Sequence, residues 1–133
     1  IQHDGVMIFF DNKNIINLLH SGIHSHYNFQ CNLKRVPITT AALMMVNRKV
    51  FEKLGYFNEN YIECFEDVEF NLKCLINGYT NYIDGNLVSY HYESQTRNLN
   101  HYKNQLVMND YNNQLLPFIT NNFNKLQKHI LSI

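Results

Sequence analysis

The apolar residues of this chain come in short runs, and segments with helical spacing separate those runs. Residues 6–10 form a continuous apolar run that ends at the turn-forming pair Asp11 and Asn12, a pattern typical of a buried strand. A second apolar run, residues 41–46, predicts a central strand. In a chain of 133 residues, strands of this length interspersed with helices indicate one α/β domain.

Two segments carry helix signals at both ends. Asn47 provides a side-chain cap for a helix over residues 48–54, and Gly55 ends that helix. The acidic run 66–69 opens a second helix with apolar residues at helical spacing, which closes at the pair 77–78. These signals are local, so they predict both helices without any knowledge of the fold.

The other segments are less regular. Residues 14–34 predict an irregular excursion that contains a short helix or crosses a functional edge. Residues 80–83 and 87–90 predict two short strands. The last third of the chain has a helical pattern, which we expect to break at Pro117 and to resume in a final helix over residues 120–131.

Charge and cysteine content exclude several classes of function. The chain has 11 Lys and Arg against 11 Asp and Glu, for a formal net charge of +0. A nucleic-acid binder needs a basic face to displace counterions, so we expect no nucleic-acid partner. The 3 cysteines are an odd number without short paired spacing, which excludes a disulfide framework and a zinc ribbon. The chain also starts at Ile1 and enters an apolar run at once, which we interpret as a piece of a longer polypeptide.

The densest group of titratable residues is the acidic run 66–69. Glu66, Asp67 and Glu69 lie within four residues at the expected start of a helix. One interpretation is structural, with Asp67 as the helix cap and the acids complementing the helix dipole. The other is catalytic: one carboxylate at the mouth of a cleft acts as general base, with aromatic neighbours that restrict water.

Histidine and arginine residues provide further candidates. His91 follows the predicted strand 87–90, where an imidazole can complete a metal site whose carboxylates come from elsewhere, or simply bond to backbone. Arg97 follows in a polar stretch and can close over a phosphate or stay solvated. The trio His20, His24 and His26 allows a zinc hydrolase as an alternative, although Ser21 and Gly22 interrupt the helix that such a site needs.

Together these segments resemble the second half of a family 2 glycosyltransferase of the bacterial polysaccharide and lipopolysaccharide class. The segments that resemble family motifs, in chain order, are residues 1–6, 36–43, 48–59, 65–70, 77–79 and 90–98. Residues 65–70 resemble the family's acidic box, and residues 90–98 resemble its late histidine and arginine motif. Each motif is short, and their common order is what makes the resemblance specific.

The resemblance implies the C-terminal portion of a GT-A fold, with residues 1–98 as the acceptor-side half and 99–133 as a helical C-terminal extension. It implies an inverting transferase in which Asp67, with Glu66 beside it, is catalytic and takes the proton of the acceptor hydroxyl. It also implies that His91 helps to hold a divalent metal, Mn²⁺ or Mg²⁺. The substrate-binding residues that it implies are Thr39, Thr40, Ala41, Glu69 and Arg97.

The implied partners are a nucleotide-sugar donor and a saccharide or lipid-linked acceptor. The resemblance further implies a cytoplasmic protein at the inner face of the cell membrane, in peripheral association with it, and leaves self-association open. The donor-binding half lies upstream in the family, so we expect the isolated chain not to transfer sugar. The main alternative is a non-catalytic binding or assembly domain on the same scaffold, in which Glu66 and Asp67 serve as helix caps.

Overall fold

A computed structural model describes residues 5–10, 16–20, 33–87, 89 and 101–133 of the chain. It is a mixed α/β structure, as the sequence predicts. The strands in these residues are β1 (Val6–Phe10), β2 (Ile16–His20), β3 (Leu33–Val36) and β4 (Asn81–Asp84). The helices are α1 (Arg48–Leu54), α2 (Glu66–Ile76), α3 (His101–Asp110), α4 (Leu116–Asn121) and α5 (Phe123–Ile130).

The strands pair in antiparallel ladders, β1 with β2 and β3 with β4. The two ladders meet where the backbone N–H of Val6 donates to the carbonyl of Ile38 over 2.9 Å. The chain after β3 therefore runs alongside the start of β1. Gly5 lies at this junction with a φ of +96°, and a Cβ there would come within 2.9 Å of Cγ1 of Val36, so this close approach requires glycine.

Both predicted internal helices are confirmed. Oδ1 of Asn47 accepts from the backbone N–H of Lys49 over 3.0 Å and caps α1, and Gly55 ends it in the left-handed conformation with a φ of 84°. The second helix, α2, starts at Glu66 as predicted, and Gly78 with a φ of 80° follows its end. Local capping chemistry thus sets the bounds of these helices.

The prediction of a central strand over residues 41–46 is wrong. Ala41–Leu43 is a 3₁₀ turn, which begins where the Thr40 hydroxyl accepts from the N–H of Ala42 over 3.3 Å. Met45 is 96% exposed and Leu43 is also exposed. Three residues of this run are exposed and the other three are half-buried, so an apolar composition typical of a buried strand occurs here in a surface segment.

Two other sequence predictions need correction or fall outside the described residues. The prediction of an irregular excursion over 14–34 is wrong for residues 16–20, which form β2 because pairing with β1 satisfies their backbone groups. The predicted short helix or functional edge stays untested in residues 14–15 and 21–32, which lie outside the described residues. The strand predicted over 80–83 is confirmed with a shift of one residue, as β4. Of the strand predicted over 87–90, Leu87 and Ser89 are described and lie outside any strand, and the other two positions are outside the described residues.

Pro117 does not break the helical backbone as predicted. A π-helical turn, Tyr111–Leu115, leads directly into α4, and Pro117 lies in the first turn of α4. A missing N–H is tolerated at that position. The break comes instead at Asn122, which has a ψ of 11° and whose side chain donates to the carbonyl of Phe118 over 2.8 Å.

The core forms between α2, the strand junction and the C-terminal helices. Its members are fully or almost fully buried: Val6, Ile8, Ile38, Val68, Leu72, Leu75, Leu115, Ile119 and Leu126. Val68, Leu72 and Leu75, the apolar stripe of α2, therefore share one core with residues of β1, with Ile38 and with residues of the C-terminal helices. Burial of this stripe fixes where the acidic end of α2 lies.

Leu72 tests the role of this core. Leu72→Ala should lower the free energy of unfolding by about 2–5 kcal/mol, because it removes a fully buried side chain and leaves a cavity. Leu87→Ala is the matched control, since Leu87 is 71% exposed and should change stability by less than about 0.5 kcal/mol. Urea unfolding measures both. Equal losses in the two variants would contradict the proposed core.

Candidate active site

The first turn of α2 carries three carboxylates, those of Glu66, Asp67 and Glu69. The residue before it, Phe65, has a φ of 81° and is the N-cap, and its side chain cannot accept a hydrogen bond. Asp67 therefore does not cap the helix, contrary to the structural interpretation of the acidic run. A non-glycine residue in the left-handed region costs on the order of 1–3 kcal/mol, so other contacts must hold this turn in place.

Asp67 is half-buried and binds the chain that follows β3. Its Oδ2 accepts from the backbone N–H of Ala41 over 2.8 Å, and its Oδ1 accepts from the N–H of Val68 over 2.8 Å. A carboxylate has about four lone-pair sites. Two stay open after these bonds, so the group is oriented and still able to accept a further proton donor.

Asn71 lies one turn after Asp67 and joins the same two segments. Its Nδ2 donates to the carbonyl of Thr39 over 3.0 Å and to the carbonyl of Asp67 over 2.7 Å. Its Oδ1 accepts from the N–H and the hydroxyl of Thr39, each over 3.1 Å. The predicted substrate segment, Thr39 to Ala41, is thus held directly against the acidic turn of α2.

Glu66 and Glu69 occupy different environments. Glu66 is half-buried, and within the described ranges its carboxylate has neither a hydrogen bond nor an ion pair. Glu69 is buried, with Nζ of Lys73 at 2.7 Å and the hydroxyl of Tyr61 at 2.8 Å. Nδ2 of Asn58 also donates to it over 3.1 Å. Glu69 therefore organises the loop before α2, and its assignment as a substrate contact stays a prediction that this burial does not favour.

The environment of Glu69 also determines the state of Tyr61. Burial raises the pKa of Tyr61, and the hydrogen bond to Glu69 and the charge of that carboxylate raise it further. Tyr61 is therefore a neutral hydrogen-bond donor at physiological pH. Cys74, on the buried face of α2, has its pKa raised to about 11 by burial, so its thiol is protonated and poorly nucleophilic.

Asp110, at the end of α3, holds the loop that precedes the acidic turn. Its side chain accepts from the backbone N–H groups of Ile62, Glu63 and Cys64, the shortest bond being 2.7 Å to Glu63. Burial by itself raises the pKa of Asp110, and these backbone hydrogen bonds outweigh that effect, so the pKa is lowered overall. The charged carboxylate pins the loop immediately before the strained Phe65.

The structure brings some of the predicted site residues together. Thr39, Thr40 and Ala41 lie against the first turn of α2, next to Asp67. The predicted metal ligand His91 and the predicted substrate residue Arg97 lie outside the described residues. So do His24 and His26 of the alternative histidine site, whereas His20 ends β2.

Two features bear on metal binding and membrane crossing in residues 5–10, 16–20, 33–87, 89 and 101–133. There, no three His, Cys, Asp or Glu side chains form a group that could hold a metal ion. In the same ranges, no helix has the length and apolar character that crossing a bilayer requires.

The sequence interpretation missed Asn71 and Asp110 as site residues. Asn71 is a polar residue on the apolar stripe of α2, between Val68 and Leu75, and that interruption is a signal that a helical projection can find. Asp110 is 46 to 48 residues away from its partners along the chain. Its partners are backbone N–H groups, which leave no trace in the sequence.

Comparison of the chain with protein-family models, with curated proteins and with solved structures finds no match. The glycosyltransferase resemblance therefore stays a prediction from the sequence motifs. The geometric basis for a function is the contact between Asp67 and the segment Thr39 to Ala41.

Asp110 gives a pH-dependent prediction. At pH 7, Asp110→Asn should lower the free energy of unfolding by about 1–3 kcal/mol, because the backbone N–H groups of residues 62–64 lose a charged acceptor that is itself buried. The lowered pKa of Asp110 means that the stabilisation is present above the unfolded-state pKa of about 3.9. It disappears as the pH falls through the folded-state pKa, so the difference between wild type and variant should shrink in acid.

Denaturant unfolding at pH 7 and pH 3 measures this effect. The control is Asp84→Asn, since Asp84 is exposed at a turn and should show little change at either pH. A difference between wild type and Asp110→Asn that is as large at pH 3 as at pH 7 would show that the ionised carboxylate is not what holds the loop.

Proposed function

We propose that this chain is the acceptor-side part of an inverting glycosyltransferase with a GT-A fold, and that Asp67 is its general base. The observation that carries the proposal is the 2.8 Å hydrogen bond from the N–H of Ala41 to Oδ2 of Asp67. It joins two segments that each resemble a family motif and that are 26 residues apart in the chain. Their contact is what a shared acceptor site requires.

Asp67 has properties that suit a general base. It lies on the first turn of a helix, where the backbone is rigid, and two backbone N–H groups orient its carboxylate. It is half-buried, so a sugar hydroxyl can reach it. Thr39 and Thr40 lie on the adjoining segment and are both half-buried, which suits contacts with a polyhydroxylated acceptor.

The proposed reaction is a single displacement. The acceptor hydroxyl gives its proton to the carboxylate of Asp67 as its oxygen attacks the anomeric carbon of the donor sugar. The new carbon–oxygen bond forms while the bond from the anomeric carbon to the nucleotide diphosphate breaks, and the diphosphate leaves with the electron pair. Attack from the face opposite the leaving group inverts the anomeric configuration.

A divalent cation is implied by the resemblance, through His91. Within the described residues the carboxylates of Glu66, Asp67 and Glu69 do not gather with other ligands into a metal-binding group. The carboxylate of Glu69 pairs with Lys73, whereas that of Asp67 keeps two open lone-pair sites beside its bonds to backbone N–H groups. Since the implied ligand His91 lies outside the described residues, the cation stays a prediction from the resemblance, and no proposed step is assigned to it.

The non-catalytic binding or assembly domain remains the second candidate. One observation favours it, namely that both hydrogen bonds of the Asp67 carboxylate in the described structure come from backbone N–H groups. Such bonds also occur where an aspartate only stabilises a loop. In that function the fold of the 37–41 segment would depend on Asp67, and sugar transfer would not.

The decisive variant is Asp67→Asn in the intact protein, because the amide is nearly isosteric and cannot take the proton. We expect kcat for sugar transfer to fall about 10²- to 10⁴-fold, the usual contribution of a general base, with the KM for the nucleotide sugar nearly unchanged. Transfer from nucleotide sugars to saccharide acceptors is measured by release of the nucleotide diphosphate.

Asp84→Asn is the matched control, since it makes the same chemical change on an exposed turn, and it should retain wild-type transfer. Thermal unfolding of both variants separates loss of catalysis from loss of fold. Undiminished transfer by a folded Asp67→Asn variant would remove Asp67 from the role of base.

A further inference from the structure

Asn71 is a buried polar side chain with four hydrogen bonds beside the proposed site. It is 2% exposed and lies on α2 between the core residues Val68 and Leu75. Burial of an amide without partners costs free energy, and an apolar residue at this position would continue the core stripe. The amide therefore needs an explanation beyond packing.

All the hydrogen-bonding capacity of this amide is used. An asparagine side chain has two N–H donors and an oxygen with two lone pairs. Both donors go to backbone carbonyls, those of Thr39 and Asp67, and both lone pairs are taken by the N–H and hydroxyl of Thr39. The side chain thus binds one residue of the 37–41 segment and one residue of α2 at the same time.

A second amide reinforces the first. Nδ2 of Asn81, on β4, donates to the carbonyl of Pro37 over 2.7 Å and to the carbonyl of Asn71 over 3.1 Å. The 37–41 segment is therefore tied at Pro37 by Asn81, at Thr39 by Asn71 and at Ala41 by Asp67. Thr39 is only two residues from Ala41, so a shift at Thr39 moves the N–H that orients the Asp67 carboxylate.

We propose that Asn71 is a positioning residue for Asp67: it fixes Thr39 against α2 and thereby sets the Ala41 N–H on the carboxylate that accepts the acceptor's proton. The proposal rests on the proposed transferase function. Asn71 itself is buried and does not meet substrate. Its effect on catalysis acts through the orientation of Asp67, and displacement of a catalytic group by a fraction of an ångström is enough to slow a reaction.

Asn71→Asp is the most direct variant, because it keeps the shape and removes the two donors. The new oxygen would face the carbonyls of Thr39 and Asp67 and repel both. Amide hydrogen exchange, followed by NMR on the 133-residue chain, should show the N–H of Ala41 exchanging about tenfold faster than in wild type.

Asn77→Asp is the matched control. Asn77 follows the last residue of α2, and like Asn71 it donates from Nδ2 to the carbonyl four residues earlier, here that of Lys73, over 2.8 Å. Unlike Asn71, it is exposed and lies at the far end of the helix from Thr39. The exchange rate of the Ala41 N–H should change less than about threefold in this variant.

Kinetics of the intact protein separate positioning from stability. In Asn71→Asp we expect kcat to fall about tenfold or more, with the KM for the nucleotide sugar within about twofold of wild type. A merely structural role predicts a lower melting temperature with an unchanged kcat for the folded fraction, and that result would overturn the proposal. So would an unchanged exchange rate at Ala41 in a folded Asn71→Asp variant.

Thr39→Val keeps the test available if Asn71→Asp does not fold. It removes only the hydroxyl that donates to Oδ1 of Asn71, and we expect faster exchange at Ala41 together with a lower kcat. Wild-type values for both the exchange rate and kcat would contradict the proposal that Asn71 positions Asp67. Full transfer by Asp67→Asn would instead overturn the proposed function, and with it the catalytic role of Asn71, whatever the exchange rates are.

Discussion

The attachment of α2 to the chain that follows β3 is the interaction on which the rest of the site depends. On the apolar side, Leu72 and Ile38 are part of one buried core. On the polar side, the amide of Asn71 and the carboxylate of Asp67 bind Thr39 and Ala41. Burial of the core supplies most of the free energy that holds α2 in place. The polar contacts determine the register, because a shift of either segment would leave the buried amide of Asn71 without its partners.

The opposite flank of the acidic turn is held from the C-terminal part of the chain. Asp110 binds the N–H groups of the loop 62–64. The ring of Tyr111 packs edge-on against that of Phe65, with 6.0 Å between the ring centroids. These contacts support the left-handed Phe65, which directs Glu66 and Asp67 into the first turn of α2. The helices after residue 101 therefore contribute to the geometry of the acidic turn as well as to the core.

The sequence predicted the elements that local chemistry determines. Asn47 and Gly55 define α1 by capping alone, and the same holds for the end of α2 at Gly78. The strand predicted at 41–46 failed because exposure of Met45 depends on what packs nearby, which an apolar run does not reveal. The hydrogen bonds of Asn71 to Thr39 and of Asp110 to the loop 62–64 join residues far apart in the chain. Most of the groups that they bind are backbone groups, which no residue pattern encodes.

Chemical rescue in the intact protein is the most direct test of whether Asp67 is the general base. Asp67→Ala deletes the carboxylate, and a small carboxylate such as formate can occupy the space and accept the proton. We expect sugar transfer to be lost in this variant and partly restored as formate is added, with no restoration by chloride and no stimulation of wild type. Undiminished transfer by Asp67→Ala without formate would contradict this expectation.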